Sequence, residues 1–369
     1  MVAVLLGIGA CGFQVDLQPP DAPAIPDAPP GAWVAGYSYR KPIVVTRAGS
    51  SVLASFPVGI VLASDANLAA HARSDGRDIV VTSGDAMTRL DSELASFDAS
   101  SGRLEIWTRV PSLPPATSTI LYLYYGGPAS TTNATGVWPA TRFKGVWHLS
   151  EPSSIAAAAD STAAGHTLGT TGTAIPTHEP GIAGLARGHD GIDDELQIGD
   201  PADGSLDVGM QSFAVSMWIN SAGAVGSFDN PLFKGGTSPG SPGYCVITGM
   251  QNPWLGKLHD GTNYLELALA PPTNGQWVHV AIVVDRVASP ARSLGYINGV
   301  QTDQQNLTLG SLDTQRELSI GAGSGSPYRG LVDEARIYNT ALTAEWIATE
   351  YANLATPGFI TKGAEEPMP

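Results

Sequence analysis

The chain has 369 residues, enough for two domains that each bury a core of their own. Only 14% of the residues are charged, whereas 43 are Gly and 28 are Pro. This composition is typical of short strands joined by many turns, and the 43% of hydrophobic residues argues against a disordered chain. The formal net charge of −15 at pH 7 disfavours nucleic-acid binding and gives no polybasic attraction to anionic lipid.

The first eleven residues indicate export and lipid attachment. The apolar run of residues 2–10 is about half the length of the ~20 residues that a membrane-spanning helix needs. The string LGIGAC, residues 6–11, resembles a bacterial lipobox, although no Lys or Arg precedes the apolar run. That resemblance implies a lipid anchor on Cys11 and a place in the bacterial cell envelope, at the outer membrane or cell surface. The alternative is a cleaved signal fragment or a disordered terminus.

Residues 12–35 predict an extended tether. Within them, residues 14–30 read QVDLQPPDAPAIPDAPP, and proline at this density favours polyproline II and prevents a packed core. Such a segment would hold the folded part of the chain away from a membrane.

A first domain is predicted over residues 36–128. Strand-sized runs separated by turn-formers occupy residues 39–46, 56–62, 79–82, 93–98, 103–110 and 119–125. In residues 104–110, Leu104, Ile106, Thr108 and Val110 alternate with other residues, which places them on one face of a strand. The pattern favours a small antiparallel sandwich, followed by a linker over residues 129–142.

This first segment resembles a bacterial secreted domain of unknown function. The resemblance rests on residues 39–43, 74–79, 104–111 and 123–127. It implies no catalytic residues, and Asp75 and Asp78 are interpreted as turn-formers.

A second domain is predicted over residues 143–354, with residues 355–369 as a C-terminal tail. Residues 213–219 and 276–284 have the pattern of buried strands, and Asn298-Gly299 is a strong hairpin signal. One helix is predicted near the end, capped by Thr343.

These strings resemble the laminin G-like, concanavalin A-like lectin/glucanase superfamily. The matching segments are residues 145–149, 160–162, 189–194, 213–218, 277–280, 296–299 and 330–339. The resemblance implies a jelly roll of two curved antiparallel sheets. The chain is therefore predicted to be all-β: a small antiparallel β-sandwich followed by a concanavalin A-like jelly-roll β-sandwich.

Relatives in this superfamily bind sugars or proteins, many bind calcium, and others are hydrolases, so fold does not decide among these roles. The hydrolases carry a Glu-x-Asp-x-x-Glu string on one strand, and this sequence has none. No catalytic residue is therefore assigned. Carboxylates from distant strands remain the alternative for a glycoside hydrolase.

A structural calcium ion is the cofactor that the resemblance implies, with Asp160 and Asp333 as the matching acidic residues. The alternative has Asp160 in a solvated turn and Asp333 accepting hydrogen bonds or pairing with Arg336. Trp254, in a loop-like string, is the best exposed aromatic candidate for stacking on a sugar. Cys245, in a strand-like string, is interpreted as a buried, inert thiol.

The sequence thus predicts a lipid-anchored envelope protein with a non-catalytic role in recognition or adhesion. The expected partner is a glycan or an envelope or extracellular protein. A structural envelope component that packs with other proteins is the alternative from another class.

Overall fold

The computed structural model describes residues 31–130, 133–170, 174–250, 253–269 and 274–369. Cys11 and most of the predicted tether lie outside these ranges. Among the described residues, no helix has the length and apolar character needed to cross a membrane.

The first half of the chain folds into a small antiparallel sandwich. Its elements are β1 (Tyr39–Val45), β2 (Leu53–Leu62), α1 (Ala66–His71), β3 (Val80–Thr82), β4 (Ser92–Asp98), β5 (Arg103–Leu113), β6 (Thr119–Tyr125) and α2 (Ala134–Val137). One sheet contains β1, β6 and β3, and the other has the order β2-β5-β4. Alternate apolar side chains of both sheets meet in one core, as the sequence predicts.

The second half forms a larger sandwich. Its strands are β7 (Phe143–Trp147), β8 (Gly169–Thr170), β9 (Thr177–Pro180), β10 (Leu185–Asp190), β11 (Leu196–Ile198), β12 (Phe213–Ser221), β13 (Leu232–Gly235), β14 (Gly243–Ile247), β15 (Trp254–His259), β16 (Tyr264–Leu269), β17 (Val278–Asp285), β18 (Arg292–Ile297), β19 (Val300–Asn306), β20 (Leu318–Ile320) and β21 (Arg329–Tyr338). An eight-stranded sheet, ordered β19-β18-β17-β12-β21-β10-β9 with β7 beside β21, packs on a seven-stranded sheet ordered β16-β15-β14-β13-β20-β11-β8.

The alternation of apolar residues in β12 correctly predicts which of its side chains lie in the core of the second sandwich. Phe213, Val215, Met217 and Ile219 of β12 all point between the two sheets, as predicted from their alternation. The predicted hairpin at Asn298-Gly299 joins β18 to β19, where Ile297 pairs with Val300. The all-β prediction of two successive sandwiches is therefore confirmed.

The chain ends with α3 (Ala344–Ala355), β22 (Ile360–Lys362) and β23 (Glu366–Pro367). As predicted, Thr343 caps α3, and its side chain accepts a hydrogen bond from the Trp346 backbone N–H. The segment predicted as a C-terminal tail does not trail from the second sandwich. It returns to the first sandwich, where β22 and β23 both pair with β1.

Charged contacts hold this returning segment. The Asp65 carboxylate lies 2.5 Å from Lys41 Nζ on β1 and 2.7 Å from Lys362 Nζ on β22. Arg40 Nε lies 2.6 Å from Glu366 Oε2 of β23. Backbone pairing and ion pairs thus join the end of the chain to its first strand.

Helix α3 lies between the two sandwiches. On one side, Trp346 packs on Phe56 of β2 with ring centroids 4.8 Å apart. On the other side, Tyr351 stacks on Trp218 of β12 at 5.6 Å. The outer face of the eight-stranded sheet is therefore an interdomain surface, because the helix and the first sandwich cover part of it.

Candidate functional site

A bulge in β21 directs two consecutive acidic side chains away from the sandwich core. Glu334 has φ +49°, and the register with β12 shifts between Ser216 and Trp218. Val332 and Ala335 point into the core between the sheets, so Asp333 and Glu334 both lie on the outer face. That face is the one that the first sandwich covers.

His148, just after β7, connects the bulge to the first sandwich. Its Nδ1 lies 2.7 Å from Glu334 Oε1, and its Nε2 lies 3.1 Å from Glu93 Oε2 on β4. Glu93 also accepts hydrogen bonds from Ser161 Oγ, at 2.6 Å, and from the Trp138 indole N–H. One imidazole therefore bridges carboxylates of two domains.

Glu105 of β5 approaches the same imidazole from the first sandwich. Its Oε1 lies 3.7 Å from His148 Nδ1 and accepts a hydrogen bond of 3.0 Å from Trp107 Nε1. Its Oε2 accepts one of 2.6 Å from Ser150 Oγ. The sequence pattern assigns Glu105 to the face opposite Leu104 and Ile106, but the second sandwich covers that face, so Glu105 is buried as well.

Arg336 completes the cluster on its other side. The guanidinium pairs with Glu334 and lies 2.7 Å from Glu350 Oε1 of α3. It also packs over the rings of Trp107 and Trp138, 4.5 and 5.0 Å from their centroids. We refer to Glu93, Glu105, His148, Glu334, Arg336 and Glu350 as the interdomain cluster.

The electrostatics of the interdomain cluster show an excess of buried negative charge. Burial and the neighbouring Glu334 raise the pKa of Glu105 to about 7. Burial and Glu334 also raise the pKa of Asp333 well above its usual range. Burial opposes protonation of His148, but the Glu334 and Glu93 carboxylates outweigh it and raise the pKa of the imidazole well above its usual value.

The interdomain cluster is not placed to act on a polymer. Its side chains are between 0 and 13% exposed, so a polysaccharide cannot reach the carboxylates. The arrangement can hold the two sandwiches together, and its nitrogen and oxygen atoms are of the kind that bind metal ions.

A surface groove lies on the same side of the eight-stranded sheet, beside the start of α3. This helix-side groove has a volume of about 610 Å³. It is lined by Gln211, Ser212, Asp285, Val287, Arg292, Leu294, Tyr296, Gln301 and residues 339–344. Its volume lies within the range of about 300–1,000 Å³ that small-ligand sites occupy.

A second surface cavity, of about 810 Å³, is acidic. Asp200, Asp203, Asp207 and Asp313 line it together with Arg316. Burial, with Asp200 and Asp313 nearby, raises the pKa of Asp207, which indicates that like charges crowd here. The helix-side groove is the better site for an uncharged ligand because its single carboxylate, Asp285, is paired with Arg292, whereas four Asp residues line the second cavity.

The prediction of an exposed Trp254 is wrong. Trp254 begins β15, is only 5% exposed and packs in the core between the two sheets. The hydrophobic free energy of burying an indole outweighs the loop-like signal of the neighbouring Asn-Pro pair. Cys245, by contrast, is free and buried as predicted, and burial raises the pKa of its thiol to about 12.

Asp160 and Asp333 both accept hydrogen bonds from the chain itself. Both Asp160 oxygens accept hydrogen bonds of 2.8–3.0 Å, from Val146 N, Thr162 N, Thr162 Oγ1 and His166 N, so its lone pairs are already used. Asp333 Oδ2 accepts from Ala183 N, and Asp333 does not pair with Arg336.

Within the described residues, two groups of three possible metal ligands have their ligand atoms within 4.8 Å of one another. One is Glu105, His148 and Glu334, and the other is Asp190, Asp193 and Asp194, of which Asp190 and Asp193 are exposed. Neither contains Asp160 or Asp333, and the calcium site on this pair stays a prediction. Glu105 and His148 were not predicted as site residues: the sequence marks Glu105 only as an acidic residue inside a strand and His148 only as a histidine next to Trp147.

Comparison with protein families finds one matching segment in each half of the chain. Residues 190–348 match the concanavalin A-like lectin/glucanases superfamily. Residues 75–144 match a domain of unknown function, DUF2341. No curated protein matches the chain.

Solved structures resemble part of the chain. The binding domain of Paraclostridial Mosquitocidal Protein 1 is 13% identical, with a TM-score of 0.46, and the match covers 57% of this chain and 52% of that one. Domain 4 of AbnA, an extracellular arabinanase of Geobacillus stearothermophilus solved with arabinotriose, is 19% identical, with a TM-score of 0.45 and coverages of 56% and 97%. The chain thus spans about half the length of the first of these structures.

Proposed function

We propose that this chain, which carries a concanavalin A-like lectin sandwich, is a non-catalytic recognition protein that binds a neutral glycan in the helix-side groove. The groove is the observation that carries the proposal. It is a concave surface on the outer face of the eight-stranded sheet, and no carboxylate pair of a hydrolase is assigned in it.

The chemistry of the groove suits a sugar. Sugar hydroxyls both donate and accept hydrogen bonds, and the groove offers the Asp285 carboxylate, the Arg292 guanidinium and the Gln301 amide. Asp285 and Arg292 lie 3.4 Å apart, so each holds the other in position. Val287, 88% exposed, supplies apolar surface against which a sugar ring can pack.

The charge of the whole chain favours a neutral ligand. A net charge of −15 repels acidic polysaccharides at long range, and Arg292 is partly neutralised by Asp285. A neutral oligosaccharide avoids that repulsion and can still form hydrogen bonds with the polar groups of the groove.

A glycan array probed with the full chain tests the proposal, followed by calorimetry with the best neutral ligand. Arg292→Ala and Gln301→Ala should each weaken binding about tenfold, since each removes hydrogen bonds to a ligand. Gln304→Ala, on the same strand β19 but outside the groove, is the matched control and should leave affinity unchanged.

Binding that survives both groove substitutions would place the glycan elsewhere on the chain. Binding to no glycan, together with co-purification of an envelope protein, would favour the protein-packing role instead.

The proposed location is the bacterial cell envelope, with the chain anchored through a lipid on Cys11. The lipobox-like string and the proline-rich tether support this location. Cys11→Ala should move the protein from the membrane fraction to the soluble fraction and abolish labelling by a radioactive fatty acid. Retention in the membrane with no label on the unaltered chain would contradict it.

A further inference from the structure

Three possible ligand atoms from three separate parts of the chain converge in the interdomain cluster. His148 Nδ1 lies 2.7 Å from Glu334 Oε1 and 3.7 Å from Glu105 Oε1. In a tetrahedral site with ligands at 2.0–2.1 Å, ligand atoms stand about 3.3 Å apart. The two observed distances lie on either side of that value, so a small ion would need only short movements of these side chains.

Each of the three side chains also has a hydrogen-bond or ion-pair partner outside the group of three. Metal-binding histidines commonly donate their second ring N–H to a carboxylate, and metal-binding carboxylates are themselves hydrogen-bonded. Here the outer partners are Glu93 for His148, Ser150 and Trp107 for Glu105, and Arg336 for Glu334.

A second, independent observation is a buried carboxyl oxygen without a partner. Asp333 is fully buried, and its Oδ1 has no hydrogen-bond partner among the described residues. This carboxyl is next to Glu334 in the chain and lies on the same outer face of β21. Buried acidic groups in such numbers normally pair with cations or bind a metal ion.

We propose that the interdomain cluster binds one divalent transition-metal ion of the zinc class through His148 Nδ1, Glu105 and Glu334, with the buried Asp333 carboxyl next to Glu334 in the chain. An imidazole ligand favours such an ion over calcium, which prefers oxygen ligands alone. Because Glu105 belongs to the first sandwich and the other ligands to the second, the ion cross-links the two domains. This site is separate from the helix-side groove and does not depend on glycan binding.

The test uses the full chain unfolded in denaturant with chelator and refolded with or without zinc chloride, because the ligands are buried. After gel filtration, elemental analysis should find one equivalent of zinc, and the zinc-loaded chain should unfold at a higher temperature. Cobalt chloride in place of zinc should give visible absorption bands of a nitrogen- and oxygen-ligated ion.

The variants separate loss of the site from loss of the fold. His148→Gln and Glu105→Gln should each lose the equivalent of zinc, and Glu93→Gln should weaken binding about 10–100-fold through the outer partner. Glu105→Gln removes a buried acid with little change of shape, so near-ultraviolet circular dichroism should show that it folds. Asp190→Asn, at an exposed position of the second group of possible ligands, should bind like the unaltered chain.

No bound zinc or cobalt in the refolded unaltered chain would overturn the proposal. So would one equivalent retained at unchanged affinity in folded Glu105→Gln and His148→Gln.

Discussion

The link between Asn353 of α3 and Gly59 of β2 gives a direct test of how the two sandwiches are joined. Asn353 Oδ1 accepts a hydrogen bond of 2.9 Å from Gly59 N, and Asn353 Nδ2 donates one of 2.8 Å to Gly59 O. Since β2 is the edge of the sheet β2-β5-β4, this side chain takes the place of a neighbouring strand. We predict that Asn353→Ala leaves both Gly59 groups unsatisfied at a buried interface.

The expected loss follows from those two groups. An unsatisfied buried polar group costs about 1–3 kcal/mol, so the free energy of unfolding should fall by about 3 kcal/mol. With about 2.1 cal/mol/K of unfolding entropy per residue, 369 residues unfolding together would lose about 4 °C in Tm. A first sandwich of ~100 residues unfolding alone would lose more than about 10 °C.

The assay is urea unfolding followed by tryptophan fluorescence and far-ultraviolet circular dichroism, with calorimetry for Tm. Asn306→Ala, at an exposed position on β19, is the control and should change the free energy by less than ~0.5 kcal/mol. A loss below ~0.5 kcal/mol in Asn353→Ala would refute the reasoning, because the Gly59 groups would then have other partners.

Three further predictions concern residues away from the proposed sites. Burial lowers the pKa of His189 to about 4 in the folded chain. As the pH falls, this imidazole is therefore protonated in the unfolded chain before it is protonated in the folded chain. The free energy of unfolding should therefore fall by about 3 kcal/mol between pH 6.5 and pH 4, and His189→Gln should remove that part of the loss in urea titrations at each pH. Trp254→Ala should destabilise the chain by about 3–5 kcal/mol in urea while leaving glycan affinity unchanged, and an altered affinity with unchanged stability would contradict its burial. Asp65→Asn should cost about 3–5 kcal/mol in the same assay because the buried Lys41 loses its carboxylate partner and keeps only the neutral Asn67, whereas Lys362→Ala, at a 41% exposed side chain, should cost less than about 1 kcal/mol.

Local patterns predicted the elements well where burial follows the simple alternation of a strand. The period of two was enough to predict that Phe213, Val215 and Met217 of β12 share one buried face. Thr343 before a helical run was enough to predict the N-terminal cap of α3. Such signals depend on neighbours within a few residues, so they can be recognised from the sequence alone.

The same patterns failed where a second surface covers a strand. Alternation in β5 places Glu105 opposite Leu104 but cannot say that another domain buries the opposite face. Trp254 failed for a related reason, since its surroundings in the chain look like a loop while its side chain packs between two sheets. In both cases the deciding contacts come from residues far away in the chain.

The sequence by itself determined the class of this protein: two all-β sandwiches in succession, the second of concanavalin A-like type, with a hairpin and a capped helix in their correct places. Only the tertiary structure decided that the chain returns to pair with β1 and that Glu105, His148 and Glu334 meet between the domains. The physical reason is that side-chain alternation and turn chemistry act over a few residues. The interdomain cluster depends instead on a bulge at Glu334 and on the packing of two surfaces that no local pattern encodes.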